Sequence, residues 1–352
     1  MRSRSKLVFL AVSAALVVAA TPALASTGGT PDTVPGAANA SLATHGAINV
    51  SSDRALAYWT PERMAAAKPI ESTLPVLTTA PSTDLLTSHG DPGRVSAAAP
   101  EVSSDAPSQD TVAPDYGATA ALWKGSRFSA PASTSGKVFF VADDGLNYVC
   151  SAGTVNSAGK NLVFTAGHCV HGGGAGRSWF DASRWTFAPS YDATKKKNPT
   201  PYGLWTASQL WSLSGWTDGG DRTYDIGVAV MQTDAWGTHI VNAVGGQGIE
   251  WNYPLEQYMY QFGYPSRTPF TGARLRYCTG TTYNDSGQVG INCNMTEGAS
   301  GGSWLDDFDG TFGYLDSVNS WVFWDGGGVR YKWNGPYFGD GAANLYAAVQ
   351  NL

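Results

Sequence analysis

Three short stretches of this 352-residue chain place a histidine, an aspartate and a serine in settings that suit nucleophilic catalysis. They occur in the order His168, Asp225 and Ser300. In such a set the serine oxygen attacks a carbonyl carbon, the histidine takes the serine proton, and the aspartate orients the histidine. The sequence therefore predicts acyl-transfer chemistry if the fold brings the three side chains together.

His168 lies in the sequence LVFTAGHCV, after an apolar run that is typical of the end of a buried strand. The small residues Ala166 and Gly167 predict a tight turn that leaves the imidazole exposed. A disulfide from Cys169 to Cys150 would hold this turn against the preceding strand. A purely structural histidine beside a disulfide is the alternative for this segment taken alone.

Asp225 directly precedes the apolar run IGVAVM. A carboxylate beside a buried strand is costly unless it accepts hydrogen bonds, and an imidazole N–H is a suitable donor. Asp218 and Asp221 are rival candidates, but they lie in the turn-like sequence WTDGGDR, where Asp commonly bonds to its own backbone.

Ser300 lies in the sequence GASGGSW, between Ala299 and two glycines. Such a loop leaves a serine clear of its neighbours, and the backbone N–H groups of Gly298 and Ser300 would form an oxyanion hole. The same letters fit the G-x-S-x-G turn of α/β-hydrolases, in which the histidine must follow the serine. The α/β-hydrolase interpretation is excluded because every histidine precedes Ser300, at positions 45, 89, 168, 171 and 239.

The elements that must position these residues are predominantly strands. From about residue 117 onward, short β-type runs such as KVFFVA, NLVFTAG and YMYQFGY alternate with turn residues. The C-terminal sequence GAANLYAAVQNL has apolar residues at helical spacing and predicts a short closing helix. This pattern indicates an all-β domain, either one large unit or two stacked barrels, over residues 117–352.

The N-terminal third has a different composition. Residues 1–25 have basic residues, an apolar run and a final Ala-Leu-Ala, which predicts a secretory signal peptide cleaved after Ala25. Residues 26–116 are rich in Ala, Ser, Thr, Pro and Asp, and we interpret them as a propeptide or a disordered segment.

The four cysteines, Cys150, Cys169, Cys278 and Cys293, suit two disulfides in an exported protein. Three pairings are possible, and we favour Cys150 with Cys169 and Cys278 with Cys293, one local bridge in each half of the domain.

Charge and motifs exclude several function classes. A net charge of −6 argues against a nucleic-acid partner, and the one basic run, Lys195–Lys197, lies in a polar loop. After the signal peptide no apolar run reaches the roughly 20 residues of a membrane span, so we expect no membrane anchor. The pattern His168-Cys169-Val170-His171 lacks a third ligand at convincing spacing, and we expect no metal and no cofactor.

The motifs TAGHC, DIGV and GASGGSW resemble those of the chymotrypsin-like (trypsin-fold) serine peptidases over about residues 137–352. The resemblance implies two stacked six-stranded antiparallel β-barrels, with His168, Asp225 and Ser300 forming a triad in the cleft between them. The signal peptide and propeptide are similar to those of secreted bacterial members, including the glutamyl endopeptidases. The resemblance thus predicts a secreted, monomeric zymogen that cuts protein or peptide substrates.

Two features depart from the family pattern. The residue before the serine is Ala299, where the commonest pattern has an aspartate that binds the new N-terminal amine on activation. The oxyanion loop must therefore be shaped by other groups, and removal of the propeptide would act by unblocking the site or assisting folding. Cys293 also lies nearer the serine loop than the common pattern has it.

Specificity is the least determined property. The resemblance implies pocket residues at Asn294, Glu297, Ser317, Asn319 and Ser320. A neutral Asn294 argues against selection for Lys or Arg. Ser317, Asn319 and Ser320 favour Glu or small polar side chains, but a polar strand at a solvent edge has the same pattern, so specificity stays open. A catalytically inactive peptidase fold that acts as an extracellular binding module is the alternative function.

Overall fold

The computed structural model describes residues 42–45, 52–72, 90–101, 117–324 and 330–352. The predicted signal peptide lies outside the described residues. All described residues belong to one compact unit, Gly36–Leu352. Within them, no helix combines the length and the hydropathy needed to cross a membrane.

Strands dominate the described residues, as the alternating β-type runs predict. They are numbered β1–β19 in chain order, and their bounds are Ala43–His45, Lys68–Pro69, Gly93–Val95, Ala121–Leu122, Ser135–Val141, Asn147–Val155, Leu162–Thr165, Thr186–Pro189, Trp205–Leu213, Gly227–Met231, Gly248–Trp251, Tyr258–Gly263, Arg276–Thr281, Tyr283–Asp285, Gln288–Asn292, Ser303–Asp306, Tyr314–Val318, Trp321–Trp324 and Arg330–Gly335.

Six of these strands close into an antiparallel barrel. Going round the ring, β5 pairs with β6, β6 with β7, β7 with β10, β10 with β9, β9 with β8, and β8 again with β5. Closure gives each of the six strands a paired neighbour on both sides. Every residue of β5 is buried, and because side chains alternate across a strand, other parts of the chain must cover its outer face.

The second half of the domain consists of two sheets. One has the order β3-β11-β17-β16-β12-β13-β4, and the other has the order β14-β15-β19-β18. The chain leaves the first sheet and enters the second at Asn319 and Ser320, between β17 and β18. There the Asn319 carbonyl accepts from Gly301 N at 2.7 Å, and Ser320 N donates to the Asn334 carbonyl at 3.0 Å. The all-β prediction is therefore confirmed with one closed barrel, while two sheets form the other half in the described residues.

Helices are few and short in the part of the chain that the structure describes. Those of α-type are α1–α5, with the bounds Asp53–Tyr58, Pro61–Ala66, Ser214–Thr217, Ile240–Val244 and Asp340–Val349. Helix α5 is the predicted closing helix. It buries Ala342, Leu345, Tyr346 and Val349, and this spacing of three and four residues gives it one apolar face toward the core.

Besides β1, which pairs antiparallel with β9, two longer N-terminal segments pack on this domain. In the first, residues 52–72, Trp59, Met64 and Ile70 are buried in the main core, and β2 runs parallel to β6. In the second, residues 90–101, β3 pairs antiparallel with β11. Both lie inside the predicted propeptide or disordered segment, and their removal on maturation stays a prediction.

The two disulfides join Cys150 to Cys169 and Cys278 to Cys293. This is the pairing favoured from the sequence. The first links β6 to the turn after β7, and the second links β13 to the loop after β15. Each bridge therefore ties together neighbouring parts of one half of the domain.

Candidate active site

His168 is held by its backbone as well as by its side chain. It lies in a 3₁₀ turn, Gly167–Cys169, that follows β7 and is tied to β6 by the disulfide of Cys169. Gly167 is required there, because a Cβ would come within 2.8 Å of the Trp216 ring and 2.9 Å of the Asp225 carboxylate. The imidazole is buried rather than exposed as the sequence predicted, because Trp216 packs edge-on against it.

Asp225 makes two contacts with His168. Its Oδ1 accepts from the His168 backbone N–H at 2.7 Å, and its Oδ2 lies 2.7 Å from His168 Nδ1. Ser320 Oγ donates a third hydrogen bond, at 2.5 Å, to the same Oδ2. These donors satisfy a carboxylate that is only 1% exposed, which explains how an acid is stable at the start of β10.

Burial disfavours the charged imidazole of His168, but the neighbouring Asp225 carboxylate outweighs it and raises the pKa of His168. Asp218 and Asp221, the rivals considered from sequence, lie in the preceding turn. Asp221 accepts from the N–H and hydroxyl of Thr223 and caps a 3₁₀ turn, as its turn-like sequence predicts.

The loop that carries Ser300 depends on glycine at its bends. Gly298 has φ +91° and Gly301 has φ +78°, in the left-handed region that side chains rarely adopt. A Cβ on Gly301 would also come within 2.0 Å of Thr165 Oγ1, and one on Gly302 within 2.1 Å of the Phe262 carbonyl oxygen. The glycines therefore allow the serine loop to approach the strands behind it.

Other groups fix the loop where the common family pattern has an aspartate. The Ala299 carbonyl accepts from Asn319 Nδ2 at 2.7 Å, and the Gly298 carbonyl accepts from Ser151 Oγ at 2.9 Å. The Ser300 carbonyl accepts from the Ser151 backbone N–H at 2.7 Å. Three successive carbonyls of the serine loop are therefore held by Ser151 and Asn319.

Glu71, from the N-terminal segment 52–72, also contacts the serine loop. Its Oε1 accepts from the Gly298 N–H at 2.9 Å and also from the Ser300 hydroxyl. Within the described part of the chain, neither His168 Nε2 nor Glu71 Oε2 has a hydrogen-bond partner, although both atoms are buried. The structure therefore brings His168 to Asp225 and Ser300 to Glu71.

The residues predicted for the specificity pocket are all engaged by the protein. Ser320 bonds to Asp225, and Asn319 holds the serine loop, as described above. The side chains of the other three have these contacts: Asn294 Oδ1 with Ala120 N at 2.8 Å, Glu297 Oε1 with Arg267 Nη1 at 2.9 Å, and Ser317 Oγ with the Pro336 carbonyl at 2.9 Å. Their part in substrate selection stays a prediction.

One group of side chains in the described residues has the spacing of metal ligands: Cys150, His168 and Cys169. Both sulfurs belong to a disulfide, so neither is a thiolate that could bind a metal. His168 Nδ1 already faces Asp225. The donor set therefore does not fit a metal ion.

This fold, with the His168 turn in the closed barrel and the Ser300 loop in the adjoining half, defines the class. The chain belongs to the chymotrypsin-like (trypsin-fold) serine peptidase family.

Two solved structures support this assignment. The thermostable serine protease AL20 from an extremophilic microorganism has 38% sequence identity and a TM-score of 0.57, over 62% of this chain and 97% of that protein. The protease Anisep from Arthrobacter nicotinovorans has 35% identity and a TM-score of 0.57, over 64% of this chain and 98% of that protein.

No family model matches the chain. A curated relative, the extracellular metalloprotease of Bacillus subtilis (strain 168), is 29% identical over 176 residues. The match covers 44% of this chain and 52% of the relative, so the chain spans about half the length of that protein.

Sequence reasoning missed Glu71 and Ser151. Ser151 adjoins Cys150 on β6, but nothing in its local pattern indicates a partner as distant in sequence as Gly298. One feature of the sequence indicated indirectly that the segment containing Glu71 docks on the domain. Trp59 is the one tryptophan before Trp123, and a large apolar ring in an Ala- and Ser-rich segment indicates a docked element rather than a solvated one.

Proposed function

We propose that the chain is a secreted serine endopeptidase that hydrolyses protein or peptide substrates through an acyl-enzyme. The observation that carries this proposal is the buried pair of His168 Nδ1 and Asp225 Oδ2, 2.7 Å apart, in a protein whose Ser300 hydroxyl and Gly298 N–H meet at one acceptor oxygen. A general base, a nucleophile and an oxyanion donor are the groups that acyl transfer needs.

In the proposed reaction His168 Nε2 takes the proton of Ser300 Oγ as that oxygen bonds to the substrate carbonyl carbon. The carbonyl oxygen becomes an oxyanion, which accepts from the N–H groups of Gly298 and Ser300. His168 then gives the proton to the leaving amine as the peptide C–N bond breaks. A water molecule repeats both steps on the acyl ester, releases the acid and restores Ser300.

Asp225 and Ser320 act on His168 rather than on the substrate. The Asp225 carboxylate fixes the ring so that Nε2 is the nitrogen available to the serine, and it stabilises the imidazolium. Ser320 bonds to the same carboxylate oxygen and is therefore a positioning residue. We place it with the triad rather than in the specificity pocket.

Export is part of the proposal. Two disulfides are present, and disulfides persist in oxidising compartments. The relative in Bacillus subtilis is named an extracellular protease, which supports the same compartment. The relation to glutamyl endopeptidases and the cleavage preference stay predictions.

The test is covalent labelling with a fluorophosphonate probe, read by mass spectrometry of the labelled peptide. The full chain is incubated to completion with excess probe, both intact and after nicking by a trace of an unrelated protease. We expect one modified residue, Ser300, and hydrolysis of a peptide library by the nicked chain. Ser300→Ala should abolish both signals.

The matched control is Ser208→Ala, because Ser208 lies on β9 and its hydroxyl donates to the Val230 carbonyl on the neighbouring barrel strand. That variant should label like the wild type. Absence of labelling in both intact and nicked wild-type protein, or labelling that survives Ser300→Ala, would overturn the proposed mechanism and favour a binding protein.

A further inference from the structure

Glu71 occupies the position that a reacting carbonyl oxygen would need. Its Oε1 accepts from Gly298 N at 2.9 Å, and Gly298 N is one of the two proposed oxyanion donors. The same oxygen accepts the Ser300 hydroxyl proton. A single carboxylate oxygen therefore accepts hydrogen bonds from the oxyanion donor and the nucleophile at the same time.

The contact also separates the nucleophile from its base. A serine hydroxyl has one proton to donate, and in this structure it goes to Glu71. His168 Nε2 is buried and has no partner among the residues described. With the proton held by Glu71, His168 cannot begin to remove it, so this arrangement is inactive.

The atom at Gly298 is a side-chain oxygen, not the Glu71 carbonyl. A carboxylate is a poor target for a hydroxyl nucleophile, since attack would give a tetrahedral adduct with two negatively charged oxygens on one carbon. The peptide bond between Glu71 and Ser72 is therefore not the one presented to Ser300. The segment fills the site without offering a bond to cut.

The rest of the segment is built to hold Glu71 in place. Trp59 is 3% exposed, donates from Nε1 to the Arg184 carbonyl at 2.8 Å, and packs against Phe139 on the outer face of β5. This ring is part of the cover that the fully buried strand β5 requires. Helix α2 starts at Pro61 behind a capping Thr60 and buries Met64.

After helix α2 the chain becomes extended and joins the barrel. Lys68 pairs with Tyr148 and Pro69 with Val149, so β2 adds a parallel strand to β6, the strand that continues to Cys150 and Ser151. Ile70 is buried next to Glu71. The carboxylate is therefore delivered by an element that is anchored to the barrel immediately before the turn that carries Glu71.

The charges around Glu71 suit a carboxylate near the imidazole of His168. Burial raises the pKa of Glu71, and the nearby His168 charge opposes that rise. A buried carboxylate is tolerated where it accepts hydrogen bonds and faces an opposite charge. Here the Gly298 amide, the Ser300 hydroxyl and the imidazolium form of His168 supply these interactions.

We propose that residues 52–72 form a built-in inhibitor of the active site, in which the Glu71 carboxylate takes the place of the reaction's oxyanion and holds the Ser300 proton. This inference rests on the proposed function, because it assigns a latent state to the same site. It identifies the contact that keeps the site inactive in a chain that has Ala299 where the common activation switch has an aspartate.

The experiment measures the initial rate at which the fluorophosphonate probe labels Ser300 in the intact full chain. Glu71→Ala should react roughly 10-fold faster or more, the scale of one lost charge-assisted hydrogen bond. Glu71→Gln keeps an acceptor oxygen but loses the charge, and should give an intermediate rate. Glu62→Ala is the matched control, since Glu62 is an exposed acid in the same segment, and it should label at the wild-type rate.

Glu71→Asp guards against a folding defect in the alanine variant. It keeps the charge but is one methylene shorter, so it should also label faster than the wild type. Circular dichroism and the midpoint of thermal unfolding establish that each variant is folded. Equal initial rates for wild type, Glu71→Ala and Glu71→Asp would overturn the inhibitor.

The two proposals fail in different ways. If Ser300 labels to completion in every protein but at equal rates, the inhibitor is wrong and the peptidase proposal stands. If Ser300 never labels in intact, nicked or Glu71→Ala protein, the peptidase proposal fails and the inhibitor fails with it.

Discussion

The burial of Lys137 predicts that the free energy of unfolding depends on pH. It lies in β5 and is 6% exposed, and its Nζ donates to the Gly272 carbonyl at 3.1 Å. The ammonium also stands 5.7 Å from the centre of the Phe139 ring and 5.5 Å from that of Tyr191. Burial lowers the pKa of Lys137 to about 7, because these neighbours replace little of the water that a charged amine loses.

The sign of the effect follows from where the proton binds. The ordinary pKa of lysine, 10.5, applies in the unfolded chain, and the folded value is about 7. As the pH falls from 10.5 to about 7 the unfolded chain gains a proton that the folded chain does not, so folding weakens by about 1.4 kcal/mol per pH unit. Below about 7 both states bind the proton, and the penalty stays constant at an upper limit of about 5 kcal/mol.

Lys137→Met replaces the amine with an apolar side chain of similar length. It loses the hydrogen bond to Gly272, worth about 1 kcal/mol, but removes the ionisation penalty. We therefore expect the variant to be more stable than the wild type by about 2–4 kcal/mol at pH 6 and nearly equal to it at pH 10.5. Urea unfolding with the disulfides intact, in a Ser300→Ala background that prevents self-digestion, measures the difference.

The control is Lys124→Met, because Lys124 is exposed and its substitution should give no pH-dependent difference. The reasoning is refuted if the stability difference between Lys137→Met and the parent is the same at pH 6 and pH 10. That result would mean that Lys137 keeps its charge throughout this range.

Three further predictions concern the segments around the site. Trp59→Ala removes a buried ring at a cost of about 3–5 kcal/mol, so amide exchange across residues 52–72 should accelerate while β6 stays protected; equal exchange in both proteins would contradict the docking. Arg94→Leu removes the 2.6 Å ion pair of buried Glu250 and should cost roughly 3 kcal/mol in urea unfolding. Burial raises the pKa of Glu250 to about 7 even beside Arg94, and loss of Arg94 raises it further, so the Arg94→Leu deficit should grow as the pH rises above about 7, where the paired wild-type carboxylate is ionised; a flat deficit would argue against it. Ser320→Ala leaves more negative charge on Asp225, so kcat/KM of the nicked enzyme should fall about 10-fold and its acidic limb should move to higher pH; an unmoved limb would mean that Ser320 is only structural.

The parts of the site that the sequence predicted are those with strong local constraints. His168 follows a strand and a turn with room for no side chain at Gly167, and Cys169 forms a disulfide with Cys150 on β6. Asp225 is an acid at the head of an apolar strand, and such a residue needs donors close at hand. In both cases the chemical requirement could be read within a few residues.

The presence of Glu71 in the site could not be predicted from local sequence in this way. Glu71 and Ser300 are separated by 229 residues, and no feature of either stretch names the other as a partner. Composition alone indicated a loose segment, because Ala, Ser and Thr bury little surface on their own. The described structure packs this stretch because the covered face of β5 supplies the apolar surface that the segment lacks.

The specificity residues show a different limit. A run of Ser and Asn on a strand next to the serine predicts a polar pocket only if the strand continues in one sheet. Here the chain changes sheets at Asn319 and Ser320, and their side chains turn toward the serine loop and Asp225. The directions of these side chains depend on a break in the pairing that no periodicity reveals.

That break also determines how the loop is held in a chain that has Ala299 before Ser300. Asn319 accepts from Gly301 N through its carbonyl and donates to the Ala299 carbonyl through its side chain, so it bonds the serine loop on both sides of the nucleophile. A strand residue paired in a continuous ladder would have its backbone groups committed to the neighbouring strand. Because Asn319 stands where the ladder is interrupted, its groups are available to shape the loop before any cleavage occurs. The oxyanion loop is therefore formed in the uncleaved chain, and control of the reaction can lie in an inserted carboxylate rather than in a loop that must refold.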